Sequence, residues 1–288
     1  MRISTVQSSS AKMPPQEDKE SVRVRPALHL PDWVIGVLTL LVILIVWEAA
    51  VRADLLNDFR FPPPSKLAVA LGDLTTQGFP RGVTVFSHIG ATMQRILTGY
   101  LLATLLAIPL GLIIGSREFL DRAANPIITF ARSVASISLL PLAVAWFGVG
   151  EVSRVFLITY ACFWVILTAV IHGYKSVDPV LVRAAQTLGA SERQIFYQVM
   201  LPASLPRIFA GMKIALGLAF LVIVAVEMIG TIEGLGALVM EARTFYRTDM
   251  TMVGMLIIAA FGFLLAKGLD RLERALMPWS TDLDEVER

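Results

Sequence analysis

The chain has 288 residues, 56% of them hydrophobic and only 17% charged, with a net charge of +2 and a mean hydropathy of +0.69. A soluble domain carries about 25% charged residues, so these apolar blocks exclude a water-facing globule and suit one membrane domain. No Lys/Arg-rich run with interleaved aromatics points to nucleic acid, and the single cysteine, Cys162, excludes an internal disulfide.

Residues 1–30 are polar, carry Pro14, Pro15 and Pro26, and lack the apolar core of a cleavable signal peptide. They read as a cytoplasmic tail before an uncleaved anchor. The first span is expected at 33–51, where about nineteen residues at about 1.5 Å each reach about 28 Å, a bilayer's hydrocarbon thickness. Trp33 and Trp47 suit its two interfaces. Residues 52–87, with Phe61-Pro62-Pro63-Pro64-Ser65, read as a loop.

A second span is expected at 88–115. Thr92, Gln94, Arg95 and Thr98 make its first half amphipathic, Arg95 reading as an interface residue. Pro109 predicts a kink, and Gly111 with Gly115 gives a spacing that permits close helix approach. The third span, 123–148, is the most polar, with Arg132, Ser133, Ser136, Ser138 and Pro141. A fourth at 152–173, a polar segment at 174–206, a fifth at 208–229 and a sixth at 251–269 complete a membrane domain over 31–272. Residues 273–288 form an acidic tail containing Asp282, Asp284, Glu285 and Glu287. The fold class is therefore an all-α polytopic membrane protein of about six transmembrane helices.

Placing the N-terminus in the cytoplasm leaves Arg52, Arg60, Lys66, Arg81, Arg243 and Arg247 outside. The more numerous remaining loop and tail cations then lie inside, which favours this topology and puts both termini in the cytoplasm.

The segment after the fourth span predicts two short helices with a sharp corner. Asp178 suits an N-cap with Pro179 at the first helical position. Leu181, Ala184, Ala185 and Leu188 share one face. Gly189 can end that helix in the left-handed conformation; Ser191 and Gln194 form a capping box that restarts one. Ile195, Phe196 and Val199 give the second helix its apolar face, and Leu201-Pro202 is expected to end it. Such an elbow reads either as a docking surface for a soluble partner or as an amphipathic connector lying on the membrane.

At Ala184, Ala185, Gly189, Val199, Leu201 and Pro202 the chain resembles the binding-protein-dependent ABC importer permeases. Their cytoplasmic loop carries Glu-Ala-Ala, three residues, Gly, nine residues, an aliphatic residue, one more, then Leu-Pro. The family's glutamate is Arg183 here. Phe61-Pro62-Pro63-Pro64-Ser65, Arg95-Ile96-Leu97-Thr98-Gly99-Tyr100, Leu140-Pro141, Trp146-Phe147-Gly148, Glu227 and Gly234-Leu235-Gly236 extend the resemblance to nitrate, taurine, alkanesulfonate and bicarbonate importer permeases. Pro278-Trp279 leans toward the taurine and sulfonate branch.

The resemblance implies a type I ABC importer-like permease fold, a homodimer in a bacterial cytoplasmic membrane, two cytoplasmic ATPase subunits gripping residues 178–202, and an external solute-binding protein. ATP and Mg would be used by the ATPase partner, with no cofactor bound by this chain. The sequence contains no GxxxxGK[ST] phosphate loop.

Glu227 lies in the apolar run near the outer end of the fifth span. A carboxylate there reads as beside the translocation path, as a contact for the binding protein, or as a structural acid satisfied by a partner. Arg132, with Ser133, Ser136 and Ser138, either lines a path attractive to anions or snorkels to the interface. His29, His88 and His172 are isolated and carry no assigned chemistry; Cys162 and the methionines read as packing. The rival to an importer subunit is a self-sufficient secondary carrier using Glu227 as a proton relay. An intramembrane enzyme would need a His, Asp or Cys cluster that the sequence lacks.

Overall fold

A computed structural model describes residues 32–279; the tail expected at 1–30 and the acidic residues from Asp282 onward lie outside the described residues. The described residues are helical, without strands. Two units divide at Val46. The first is the leading part of α1 (Asp32–Arg52), whose side chains from Leu38 to Val46 are largely exposed although almost all are apolar, a surface suited to lipid or a protein neighbour.

In the second unit the core is a three-helix seam of α3 (Val85–Ser116), α6 (Glu151–Lys175) and α9 (Leu201–Glu227). Glycines let α3 and α6 approach. A Cβ on Gly99 would lie 2.8 Å from Ile158 Cβ, and one on Gly111 2.7 Å from Val170 Cβ, so the expected close-approach face is real and is answered by β-branched side chains of α6. The Tyr100 hydroxyl donates to the Met212 carbonyl at 2.9 Å, tying α3 to α9. Cys162 is buried, its thiol 3.3 Å from the Ala215 carbonyl.

Residues 52–87 are not wholly loop. They hold α2 (Pro64–Thr76), which places Leu67, Ala70 and Leu74 against Val85, Leu238 and Met250 in a second, smaller core. Proline at the first helical position costs no hydrogen bond, so the triple-proline run starts a helix as readily as it forbids one upstream. α2 has no cap of its own. The Glu48 carboxylate, from the last turns of α1, accepts from the Ser65 backbone N–H (3.1 Å) and hydroxyl (2.8 Å).

The expected third span is broken. α4 (Glu118–Ser133) and the segment Ser136–Phe147, a short 3-10 turn followed by α5 (Leu140–Phe147), meet at 82°. Among the described residues, five helices are therefore long and apolar enough to cross a membrane, six if the bent pair is one crossing. Backbone freed at such a break needs partners at membrane depth. The Tyr160 hydroxyl supplies one to the Ala131 carbonyl (2.7 Å), and Ser138 supplies one to Ala135 (2.6 Å).

Beyond α6 come α7 (Pro179–Thr187) and α8 (Glu192–Ile195), and then a π-helical turn, Phe196–Met200, leads without interruption into α9. Leu201-Pro202 does not end this helix. Pro202 cannot donate and its ring crowds the preceding turn. The helix absorbs this by widening, the Leu201 N–H reaching back five residues to the Phe196 carbonyl. α10 (Leu235–Thr244) and α11 (Thr248–Leu276) close the unit, the latter running into the residues expected as tail.

Candidate functional site

Two features stand at opposite ends of the α3–α6–α9 seam. The first gathers at the starts of α3 and α6 and the end of α9. Glu227, the last residue of α9, has a fully buried side chain, and Arg95 is almost as buried. Arg95 Nη1 donates to Glu227 Oε1 at 2.7 Å and to the Glu233 carbonyl at 2.8 Å. Its other edge grips Glu151, Nε to Oε2 at 2.5 Å and Nη2 to Oε1 at 2.7 Å. Glu151 also receives Arg154 Nη1 at 2.7 Å. Two guanidinium groups and two carboxylates thus balance in charge, the condition under which ions survive burial.

Backbone completes the cluster. Gly236 N–H donates to Glu227 Oε2 at 2.9 Å, and the Thr92 hydroxyl lies 2.9 Å from both carboxylate oxygens while accepting from Leu235 N–H at 2.8 Å. The glycines of Gly234-Leu235-Gly236 permit this approach. Gly234 has φ +138°, and a Cβ there would sit 2.5 Å from the Glu227 carboxyl carbon; one on Gly236 would sit 2.5 Å from the Val224 carbonyl. His88, buried on α3, places Nδ1 3.1 Å from Gly234 N and Nε2 2.9 Å from the Phe79 carbonyl. Nδ1 also lies 2.9 Å from the Gly234 carbonyl.

Of the readings of Glu227, the geometry matches that of an acid satisfied by partners. Arg95, read as an interface residue, is buried within the protein, and His88, assigned no chemistry, ties two loops together. Only the pairing of Arg95 with Glu227 was within reach of the sequence: two opposite charges lie in apolar spans near the same expected face.

A cleft of about 610 Å³ opens beside this cluster, lined by Gln94, Arg95, Thr98, Glu151, Thr159 and Glu233 among apolar neighbours. Arg132, Ser133, Ser136 and Ser138 do not line it. Arg132 is exposed with Nη1 3.5 Å from Thr168, and Ser133 donates to the Thr129 carbonyl at 2.9 Å.

The second feature is the elbow of α7 and α8. Asp178 caps α7 by accepting from Val180 N–H at 2.8 Å. Gly189 turns the corner at φ +78°, with Ala190 N–H reaching the Ala185 carbonyl as in a Schellman motif. Ser191 and Gln194 form the capping box. No residue of α7 is buried; Val180, Leu181 and Leu188 are exposed, as are Arg183, Ala184 and Gly189, while Ala185, Val199, Leu201 and Pro202 are half-buried.

The described residues thus form a helical bundle with spans of membrane length, an ion cluster at one end and a bare helical corner at the other. The transmembrane fold of the MetNI methionine ABC transporter superposes on it with a TM-score of 0.56 at 19% identity, covering 66% of this chain and 94% of that one. The chain belongs to the binding-protein-dependent transport system inner membrane components, whose family profile matches residues 107–281. It is 38% identical over 84% of its length to the taurine transport system permease protein TauC of Escherichia coli, of which it covers 88%. It is 29% identical to the putative aliphatic sulfonates transport permease SsuC of Bacillus subtilis, over 92% of this chain and 94% of that one. The bicarbonate transport system permease CmpB of Synechocystis is 29% identical over 82% of this chain and 85% of its own. This chain is thus a membrane-spanning transport subunit.

Proposed function

We propose that this chain, as a homodimer in a bacterial cytoplasmic membrane, forms the translocation path of an ATP-driven importer. Its solute is a small anion or zwitterion, taurine or an alkanesulfonate ahead of nitrate or bicarbonate. The observation that carries the coupling half of this reading is the elbow, whose first helix, α7, is capped at both ends and has no buried residue of its own. Apolar side chains held out on a rigid corner suit the cleft of a soluble partner. Two cytoplasmic ATPase subunits would seat there around Arg183, Ala184, Ala185 and Gly189, using ATP and Mg, and a solute-binding protein would deliver substrate at the other face. The similarity to permeases named for taurine and aliphatic sulfonates supports the solute class.

The secondary-carrier reading needs a carboxyl group that exchanges protons with water. Glu227 is instead enclosed and held by Arg95, Thr92 and Gly236. Reconstitution with and without the ATPase decides between them. Uptake of taurine is expected only with the ATPase, ATP and the binding protein present; gradient-driven uptake by the chain alone would overturn the importer reading. Cysteines at Ala185 or Gly189 are expected to crosslink to the ATPase.

A further inference from the structure

The Arg95 cluster is asymmetric in a way that stability alone does not require. Glu227 is locked by three donors and fully buried, whereas the Glu151 side chain is 59% exposed. Glu151 also has a second cation, Arg154, that can hold it if Arg95 lets go. It starts α6 directly after Gly148-Val149-Gly150, with Gly148 at φ +78°. One edge of Arg95 is therefore fixed and the other is exchangeable, and the exchangeable edge faces the cleft.

We propose that the cleft between α3 and α6 is a binding station for a small zwitterionic sulfonate, in which the solute's sulfonate takes the place of Glu151 on Nε and Nη2 of Arg95. The released Glu151, with Glu233, receives the solute's ammonium. The choice of sulfonate rests on the function proposed above; the station itself rests on geometry. A guanidinium edge binds two oxygens of a sulfonate in the same paired manner as a carboxylate, so the exchange conserves both hydrogen bonds. The cleft's volume lies within the roughly 300–1,000 Å³ of small-molecule sites. Phe147 and Phe156, with centroids 5.1 Å apart, offer an apolar wall for the solute's methylenes. Thr98 and Thr159 spend their protons on the backbone carbonyls of Gln94 and Val155 and keep lone pairs for a cation. Gln94 lines the mouth, outside the Arg95 network, and its amide has no hydrogen-bond partner among the described residues.

The test is calorimetric titration of the complete permease–ATPase complex in lipid nanodiscs with taurine, ethanesulfonate and ethylamine. Taurine is expected to bind most tightly, ethanesulfonate more weakly and ethylamine not at all. Glu151→Gln weakens the competitor for the Arg95 edge and is expected to tighten ethanesulfonate binding about tenfold, the low end of one charge-assisted hydrogen bond. Gln94→Ala is expected to weaken both sulfonates. Equal binding of ethylamine, unchanged ethanesulfonate affinity in Glu151→Gln, or an indifferent Gln94→Ala would each overturn the station. Should Glu151→Gln fail to fold, the order of the three solutes on the wild type and the Gln94→Ala result decide. ATP-dependent taurine uptake without binding in the cleft sinks the station and spares the importer; binding with uptake that ignores the ATPase does the reverse.

Discussion

At the scale of single residues, the Arg95–Glu227 cluster is a case where burial converts small changes into large ones. Glu227→Gln leaves the buried edge of Arg95 facing a neutral amide and unbalances the charge of the cluster. Breaking one side of such a pair costs about 3–5 kcal/mol, so the purified variant is expected to unfold well below the wild type in a thermal scan. Thr92→Val should cost less, about 1–3 kcal/mol, by leaving the Leu235 N–H without its acceptor. Gly236→Ala drives a methyl group into the Val224 carbonyl and is expected to be as damaging as Glu227→Gln, although it removes no charge. Alternation of apolar and polar residues could not reveal this cluster. Glu227 and Arg95 stand 132 positions apart, and the partners that neutralise them include backbone groups, which every residue carries. What the sequence did show was that a lone acid in an apolar run must have a reason.

At the scale of elements, the elbow was legible almost atom by atom, because caps and left-handed glycines are local chemistry. Asp178, Gly189, Ser191 and Gln194 each take the expected role. The errors came where one residue type has two meanings. Proline was read as a stop, yet Pro64 begins α2 and Pro202 is carried inside a continuous helix by a π turn. That turn holds one residue more than an α-turn, which rotates everything before it by about 100° relative to α9. Pro202→Ala is expected to let the turn relax toward α geometry, re-aiming the elbow. The prediction is unimpaired thermal stability with transport per ATP hydrolysed reduced severalfold, measured in proteoliposomes. Ser191→Ala removes a cap worth about 1 kcal/mol; amide exchange is expected to quicken in Glu192–Ile195 before anywhere else in the elbow.

At the scale of the whole molecule, the expected all-helical membrane architecture holds, since hydropathy over some twenty residues reports the surroundings of a helix directly. The bend of 82° within the expected third span was invisible because Ser133 to Leu140 carries no charge, glycine or proline to mark a break. Within it, Ser133 and Ser138 donate their hydroxyls to the backbone carbonyls of Thr129 and Ala135. Ser138→Ala is expected to leave solute selectivity unchanged and to lower stability by about 1 kcal/mol, the net value of one hydrogen bond.

The carboxylate of Glu48 has a practical bearing on how this protein can be shortened. Because α2 borrows its N-terminal acceptor from 17 positions upstream, the leading hydrophobic helix cannot be trimmed as a single block. A truncation that retains the segment from Glu48 onward keeps α2 anchored at its start. One beginning at Arg52 strips α2 of that side-chain acceptor, and the damage would surface against α10 and α11, far along the sequence from the cut.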